Sequence, residues 1–150
     1  MLIAGYSNGG GLAVKYALDT LEDDSLPAPD QLLLFSPEIS INAFARIANS
    51  HKLLSFLPWF SQFKWLDIRP EYDPFKYNSF TSNAGEQVHR LTRHVARRIE
   101  ARAGSGLIEG FPPTLVFLST VDATVSTNAV IDNLLEHLAP PRHELVLFDV

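Results

Sequence analysis

The sequence predicts an α/β fold on a parallel sheet, and three observations carry that expectation. Short continuous apolar runs recur at residues 1–4, 31–35, 114–118 and 144–150. Runs of that kind suit strands buried on both faces of a sheet. Between them lie segments with helical apolar spacing, at about 9–21, 83–103 and 127–138. Strands that alternate with helices imply crossover connections and parallel pairing. The third observation is Gly5-Tyr6-Ser7-Asn8-Gly9, a G-x-S-x-G pentapeptide between the first run and the first helix. The expected architecture is four mostly parallel strands with helices on both faces and an insertion after the second strand.

The order strand, tight turn, helix is the context that a nucleophilic serine needs, because its hydroxyl must stand at the tip of a sharp turn. Gly5 and Gly9 are expected to be required there, since a Cβ at either place would collide with the neighbouring strand or helix. The helix N-terminus behind Ser7 favours the negative charge that develops in acyl transfer. Chance alone gives this pentapeptide in about one chain of this length in twenty, so the flanking strand and helix carry the weight. The competing reading makes Ser7 an ordinary helix N-cap. A phosphate-binding loop fits poorly, because both the G-K-[ST] ending and the G-x-G-x-x-G spacing are absent.

In the first helix Leu12 and Tyr16, and Ala13 and Ala17, fall at i, i+4, while Val14, Leu18 and Leu21 extend the apolar surface. Gly10, Gly11, Ala13 and Ala17 are small enough for close packing on a sheet. Glu22-Asp23-Asp24-Ser25 and Pro27-Ala28-Pro29 read as a solvated surface loop. The strand at 31–35 ends in Ser36-Pro37. Residues 41–67 hold both tryptophans, Trp59 and Trp65, with Phe56, Phe60 and Phe63. That segment is too dense in aromatics for a simple amphipathic helix. It reads either as an apolar cap that lines a greasy pocket and excludes water, or as a set of anchors to the core.

Residues 68–80 read as an extended return, with Tyr77 and Asn78 nearest to any pocket. Asn83 and Glu86 have the spacing of a capping box, and Val88, Leu91, Val95 and Ile99 form the core face of the helix they start. Arg90, Arg93, Arg97 and Arg98 fall mostly off that face and read as solvated. Gly104-Ser105-Gly106 stops the helix. Pro112-Pro113 leads into the third strand, after which Asp122 follows. Val130, Ile131, Leu134, Leu135 and Leu138 make the core face of the last helix, which Pro140-Pro141 ends.

The net charge of −5 and the lack of a basic stripe interleaved with aromatics exclude a nucleic-acid partner from the expectation. There is no cysteine, hence no disulfide framework and no thiol chemistry. No apolar run approaches the ~20 residues of a membrane span, and no signal-peptide pattern is visible. The compartment is left open, with the cytoplasm slightly favoured, and so is the oligomeric state.

These residues together resemble the α/β-hydrolase superfamily, in particular its monoacylglycerol lipase, lysophospholipase and serine aminopeptidase-like branch. The resemblance covers nearly the whole chain, but residues 1–150 correspond only to the C-terminal half of such a domain, with a lid insertion at about 38–83. It implies a serine hydrolase that cleaves carboxylic esters through an acyl-Ser7 intermediate, without metal or organic cofactor. The backbone N–H of Asn8 would be one oxyanion donor. Asp122 matches the D-x-x-V acid after the third strand, and its role would be to orient a histidine. Phe56, Trp59, Phe60, Phe63 and Trp65 would line the substrate pocket from the lid, and the lid would allow transient contact with a membrane surface. The substrate would be a small ester or lipid-like molecule. Amide or peptide-end hydrolysis by the same triad is the nearest alternative, and a non-catalytic remnant or apolar-ligand-binding module is the alternative outside enzymes.

The triad order of the superfamily, Ser, acid, His, places the histidine after the last strand, beyond Val150. None of the five histidines fits well. His143 lies at the wrong end of its strand, roughly 20 Å from the catalytic rim, and His137 sits near the same end. His89 and His94 read as surface residues of a peripheral helix. Only His51, in the lid, is in reach. The segment alone is therefore expected to be nearly inactive. It is also expected to be marginally stable or to associate, because the first strand would expose one edge.

Overall fold

A computed structural model of the 150-residue chain describes residues 1–39, 65–67, 80–104, 106–121, 125, 127–140 and 142–149. It divides into two compact units, residues 1–40 with 91–150, and residues 41–90. In chain order the elements are β1 (Leu2–Tyr6), α1 (Asn8–Thr20), β2 (Gln31–Phe35), β3 (Trp65–Asp67), β4 (Phe80–Thr81), α2 (Ser82–Ala103), β5 (Thr114–Ser119), α3 (Thr127–Asn133), a 3-10 turn (Leu135–His137) and β6 (His143–Phe148).

The first unit holds a four-stranded sheet in the order β1-β2-β5-β6, with every pair parallel. Tyr6, Phe35, Phe117 and Val146 form one cross-strand row, so the carboxyl ends of all four strands share a rim. β1 is longer than its apolar run, because Gly5 and Tyr6 continue the ladder up to Ser7.

Side chains alternate between two faces of this sheet. Leu32, Leu34, Val116 and Leu118 lie on one face. They form a single buried cluster with Ala13, Val14, Ala17 and Leu18 of α1, Val95 and Ile99 of α2, and Val130 and Leu134 in and after α3. The other face carries Leu2, Tyr6, Phe35, Val146 and Phe148, all exposed. Helices on both faces were expected, yet among the described residues the core lies on one face. The strand order explains it. The chain steps across the sheet in one direction, and right-handed crossovers then deliver every helix to the same side. Coverage of both sides needs a reversal of strand order.

Several local expectations change. Leu12, half exposed, lies off the core face of α1. Thr81 rather than Asn83 caps α2, its Oγ1 accepting from the Ala84 N–H at 3.1 Å. His89 is buried, not a surface residue, whereas His94 is exposed. Arg98 is not a solvated residue. It is only 14% exposed and reaches α1, its Nη1 2.5 Å from Asp19 Oδ1 and its Nη2 2.9 Å from Glu22 Oε2. Lys15 adds a 2.7 Å bond to Asp19, and Arg102 a 3.0 Å bond to Glu22. Glu22 thus belongs to an ion network between two helices and not to a merely solvated loop.

In the second unit β3 and β4 pair antiparallel, Trp65 opposite Thr81. The sequence reading placed an irregular lid and an extended return there and gave no sheet. No helix among the described residues is long and apolar enough to cross a membrane.

Candidate active site

Ser7 stands at the junction of β1 and α1 with φ 51° and ψ −119°. A non-glycine residue in that region carries backbone strain on the order of 1–3 kcal/mol. The side chain makes no capping bond to α1, so the ordinary N-cap reading loses its physical basis. The main chain is held firmly. The Ser7 N–H donates to the Phe35 carbonyl at 2.9 Å, and the Ser7 carbonyl accepts from Gly10 at 3.0 Å, Gly11 at 3.3 Å and Glu38 at 3.0 Å.

The glycines divide differently from the expectation. A Cβ on Gly5 would lie 2.6 Å from the Gly9 carbonyl oxygen and 2.8 Å from Gly10 Cα, so Gly5 is required. A Cβ on Gly9 would meet nothing within 4 Å among the described residues, and the expected collision with the neighbouring strand or helix is absent there. The close approaches fall on the next two residues. A Cβ on Gly10 would lie 2.7 Å from Pro37 Cβ, and one on Gly11 2.9 Å from the Glu38 oxygen. The reason is geometric: α1 turns Gly9 outward and presents Gly10 and Gly11 to the chain leaving β2.

The first turn of α1 leaves N–H groups without helical partners. Those of Gly10 and Gly11 go to Ser7, while among the described residues no backbone oxygen takes the N–H of Asn8. No acidic side chain belongs to the first turn of α1, and the positive end of the helix dipole lies beside Ser7.

Asp122 lies outside the described residues, as do Phe56, Trp59, Phe60, Phe63, His51, Tyr77 and Asn78; Trp65 is described only through the main chain of β3. The approach to Asp122 is nonetheless defined. β5 ends at Ser119 on the same rim as Ser7, two strands away from β1, a separation of roughly 10 Å. Thr120 ties the loop to β6, its N–H donating to the Phe148 carbonyl at 3.0 Å and its Oγ1 bonded to Asp149 Oδ1 at 3.0 Å. Asp149 is a rim carboxylate that the sequence reading did not single out. Its signal was its place at the end of an apolar run. Glu38 is another. It follows β2 after Ser36 and Pro37, and partial burial pushes its carboxyl above the ordinary value of 4.5.

His143 pairs with Thr114 at the amino ends of β5 and β6, with Nε2 3.1 Å from the Ala139 carbonyl, and it is therefore remote from the rim. His137 sits at the same end, its carbonyl accepting from the Ile108 N–H at 2.8 Å.

No family model and no curated protein matches the sequence. Solved structures do match. The monoacylglycerol lipase of Paleococcus ferrophilus superposes with a TM-score of 0.64 at 15% identity, covering 99% of this chain and 58% of that one. A soluble variant of the monoglyceride lipase of Saccharomyces cerevisiae, in complex with a substrate analog, superposes with a TM-score of 0.61 at 15% identity, covering 99% and 52%. The fold is that of the α/β-hydrolases. This chain spans about half the length of those structures.

Proposed function

We propose that this chain carries the nucleophile and the acid of a serine hydrolase acting on carboxylic esters with an apolar acyl group. The observation that carries the reading is the strained backbone of Ser7 at a strand-to-helix turn, with no capping bond from its side chain. Evolution tolerates such strain mainly where function needs it. The lipase fold of the neighbours supports the ester over other acyl substrates.

In this reading Ser7 Oγ attacks the ester carbonyl and its proton passes to a histidine. The tetrahedral oxyanion accepts the N–H of Asn8 at the positive end of α1. The alcohol leaves with the histidine proton, and water then releases the acid from acyl-Ser7 by the same steps in reverse. Asp122 orients that histidine, and the aromatic segment around Trp59 and Trp65 supplies the apolar pocket. The activity proposed is that of the full-length polypeptide; this chain spans about half the length of the structures it matches.

The test is labelling of the full-length polypeptide with a fluorophosphonate, alongside hydrolysis of short and long p-nitrophenyl esters. Label on Ser7, lost in Ser7→Ala together with turnover, is expected. Turnover that survives Ser7→Ala would end the proposal.

A further inference from the structure

Ser7 is not the only non-glycine residue with a positive φ among those described; Ser36 has φ 41°. The two terminate adjacent strands, β1 and β2. The strain at Ser36 runs against a local rule, since the residue before a proline is normally held in the extended region. The hydrogen bonds show what holds it. The Ser36 N–H donates to the Phe117 carbonyl at 2.9 Å, which continues the β2–β5 ladder. The Phe35 carbonyl then takes the Ser7 N–H at 2.9 Å, and the Glu38 N–H reaches the Ser7 carbonyl at 3.0 Å. Both main-chain polar groups of Ser7 are therefore gripped by one passing segment.

For residues 35 and 38 to reach the same partner, the two residues between them must reverse the chain. Ser36 in the left-handed region and Pro37 with its fixed φ make that reversal, and an Ile39 N–H to Pro37 carbonyl bond at 3.0 Å tightens it. Gly10 and Gly11 admit the turn against α1, as the 2.7 and 2.9 Å approaches show. The other two donors to the Ser7 carbonyl come from the first turn of its own helix. Glu38 is the donor that ties that carbonyl to the neighbouring strand.

We infer that Ser36 is a positioning residue for Ser7. Its left-handed backbone holds the turn after β2 on the elbow, so that the Glu38 N–H fixes the Ser7 carbonyl and with it the direction of the hydroxyl. This rests on the reading of Ser7 as the nucleophile.

Two substitutions at Ser36 test it in the full-length polypeptide. Valine, β-branched, does not accept φ 41° without strain, whereas glycine does. Ser36→Val is expected to lower kcat for an ester by about 10²-fold through misplacement of the hydroxyl, with KM little changed. Ser36→Gly retains most of kcat. Gly11→Ala, which pushes the Glu38 carbonyl away from α1 with Ser36 intact, lowers kcat in the same way and stands in if Ser36→Val does not fold. Amide hydrogen exchange at Glu38, on the same proteins, reads the bond itself and is expected to be slow in wild type and Ser36→Gly and fast in the other two. Wild-type kcat in Ser36→Val, or an equal loss in Ser36→Gly, overturns the inference. If wild type itself shows no reaction through Ser7, the nucleophile reading falls instead. Exchange at Glu38 then decides the matter, and slow exchange in Ser36→Val refutes the positioning role.

Discussion

The two glycines of the G-x-S-x-G pentapeptide should respond in opposite directions to the same substitution. In Gly5→Ala the new methyl group meets Gly9 and Gly10 main-chain atoms at 2.6, 2.7 and 2.8 Å. Backbone cannot rotate aside as a side chain can, so β1 and the first turn of α1 must separate by several tenths of an ångström. Overpacking of this kind costs about 1–3 kcal/mol. In Gly9→Ala the methyl group enters open space, and the glycine has no positive φ to protect. Restriction of the unfolded chain then stabilises the variant by about 0.4–1 kcal/mol. The two variants should differ by about 1.4–4 kcal/mol. At roughly 2–4 °C per kcal/mol for a chain of this size, that is on the order of 3–16 °C in Tm. Thermal and urea unfolding of wild type and both variants measures it. A Gly9→Ala variant that loses as much as Gly5→Ala, or a neutral Gly5→Ala, would refute the close approach of α1 to β1 at the elbow.

Three further outcomes follow from the site and the helix network. Asp122→Asn in the full-length polypeptide should lower kcat by about 10⁴ while Ser7 still labels slowly, because a triad acid fixes the histidine tautomer; an unchanged kcat would move the acid elsewhere, with Asp149 the next carboxylate on the rim. Arg98→Ala should destabilise by about 1–3 kcal/mol, between an exposed and a buried pair, and the loss should shrink at high salt; a salt-independent loss would mean that the arginine acts through packing. Glu38→Gln tests the half-buried carboxyl through pH. Its folded pKa is raised by burial, so its favourable contribution is complete below 4.5 and is lost as pH rises through the folded value. The variant should therefore exceed wild type in stability at neutral pH and match it below 4.5. Asp19 has the opposite sign. Burial works to raise its carboxyl, but Lys15 and Arg98 hold it below 3.8, so its contribution is present above 3.8 and is lost as pH falls through the lower folded value. A Glu38→Gln gain that persists in acid would show that the carboxyl is not what the fold penalises.

The strands were legible because a buried parallel strand is written as an uninterrupted apolar run, and residues 31–35 and 114–118 carry that pattern without ambiguity. The strand, turn and helix around Ser7 were legible because the three are contiguous in sequence. What the sequence concealed depends on contacts between distant segments. Arg98 looks solvated on a helical wheel, and only the approach of α1 brings Asp19 and Glu22 to it. The single-sided core was hidden in the strand order, since apolar runs say that a strand is buried and not which neighbour it takes. Asp122 and the lid aromatics Phe56, Trp59, Phe60 and Phe63 lie outside the described residues.

The glycines around Ser7 are constrained at other positions than the pentapeptide suggests. Gly9 completes the pentapeptide, yet nothing packs where its side chain would be. Gly10 and Gly11, which no part of the motif requires, face Pro37 and Glu38 at distances that exclude any side chain. The constraint on the helix therefore comes from the strand next door as well as from the serine. A strained residue needs its surroundings to over-determine it, and those of Ser7 include a second strained residue, Ser36, just after the neighbouring strand. Two adverse backbone conformations persist together because each is held by hydrogen bonds that the other's turn supplies. Relaxing either one would release both Ser7 and Glu38, which is why the elbow and the turn after β2 should behave as one unit in exchange and in unfolding.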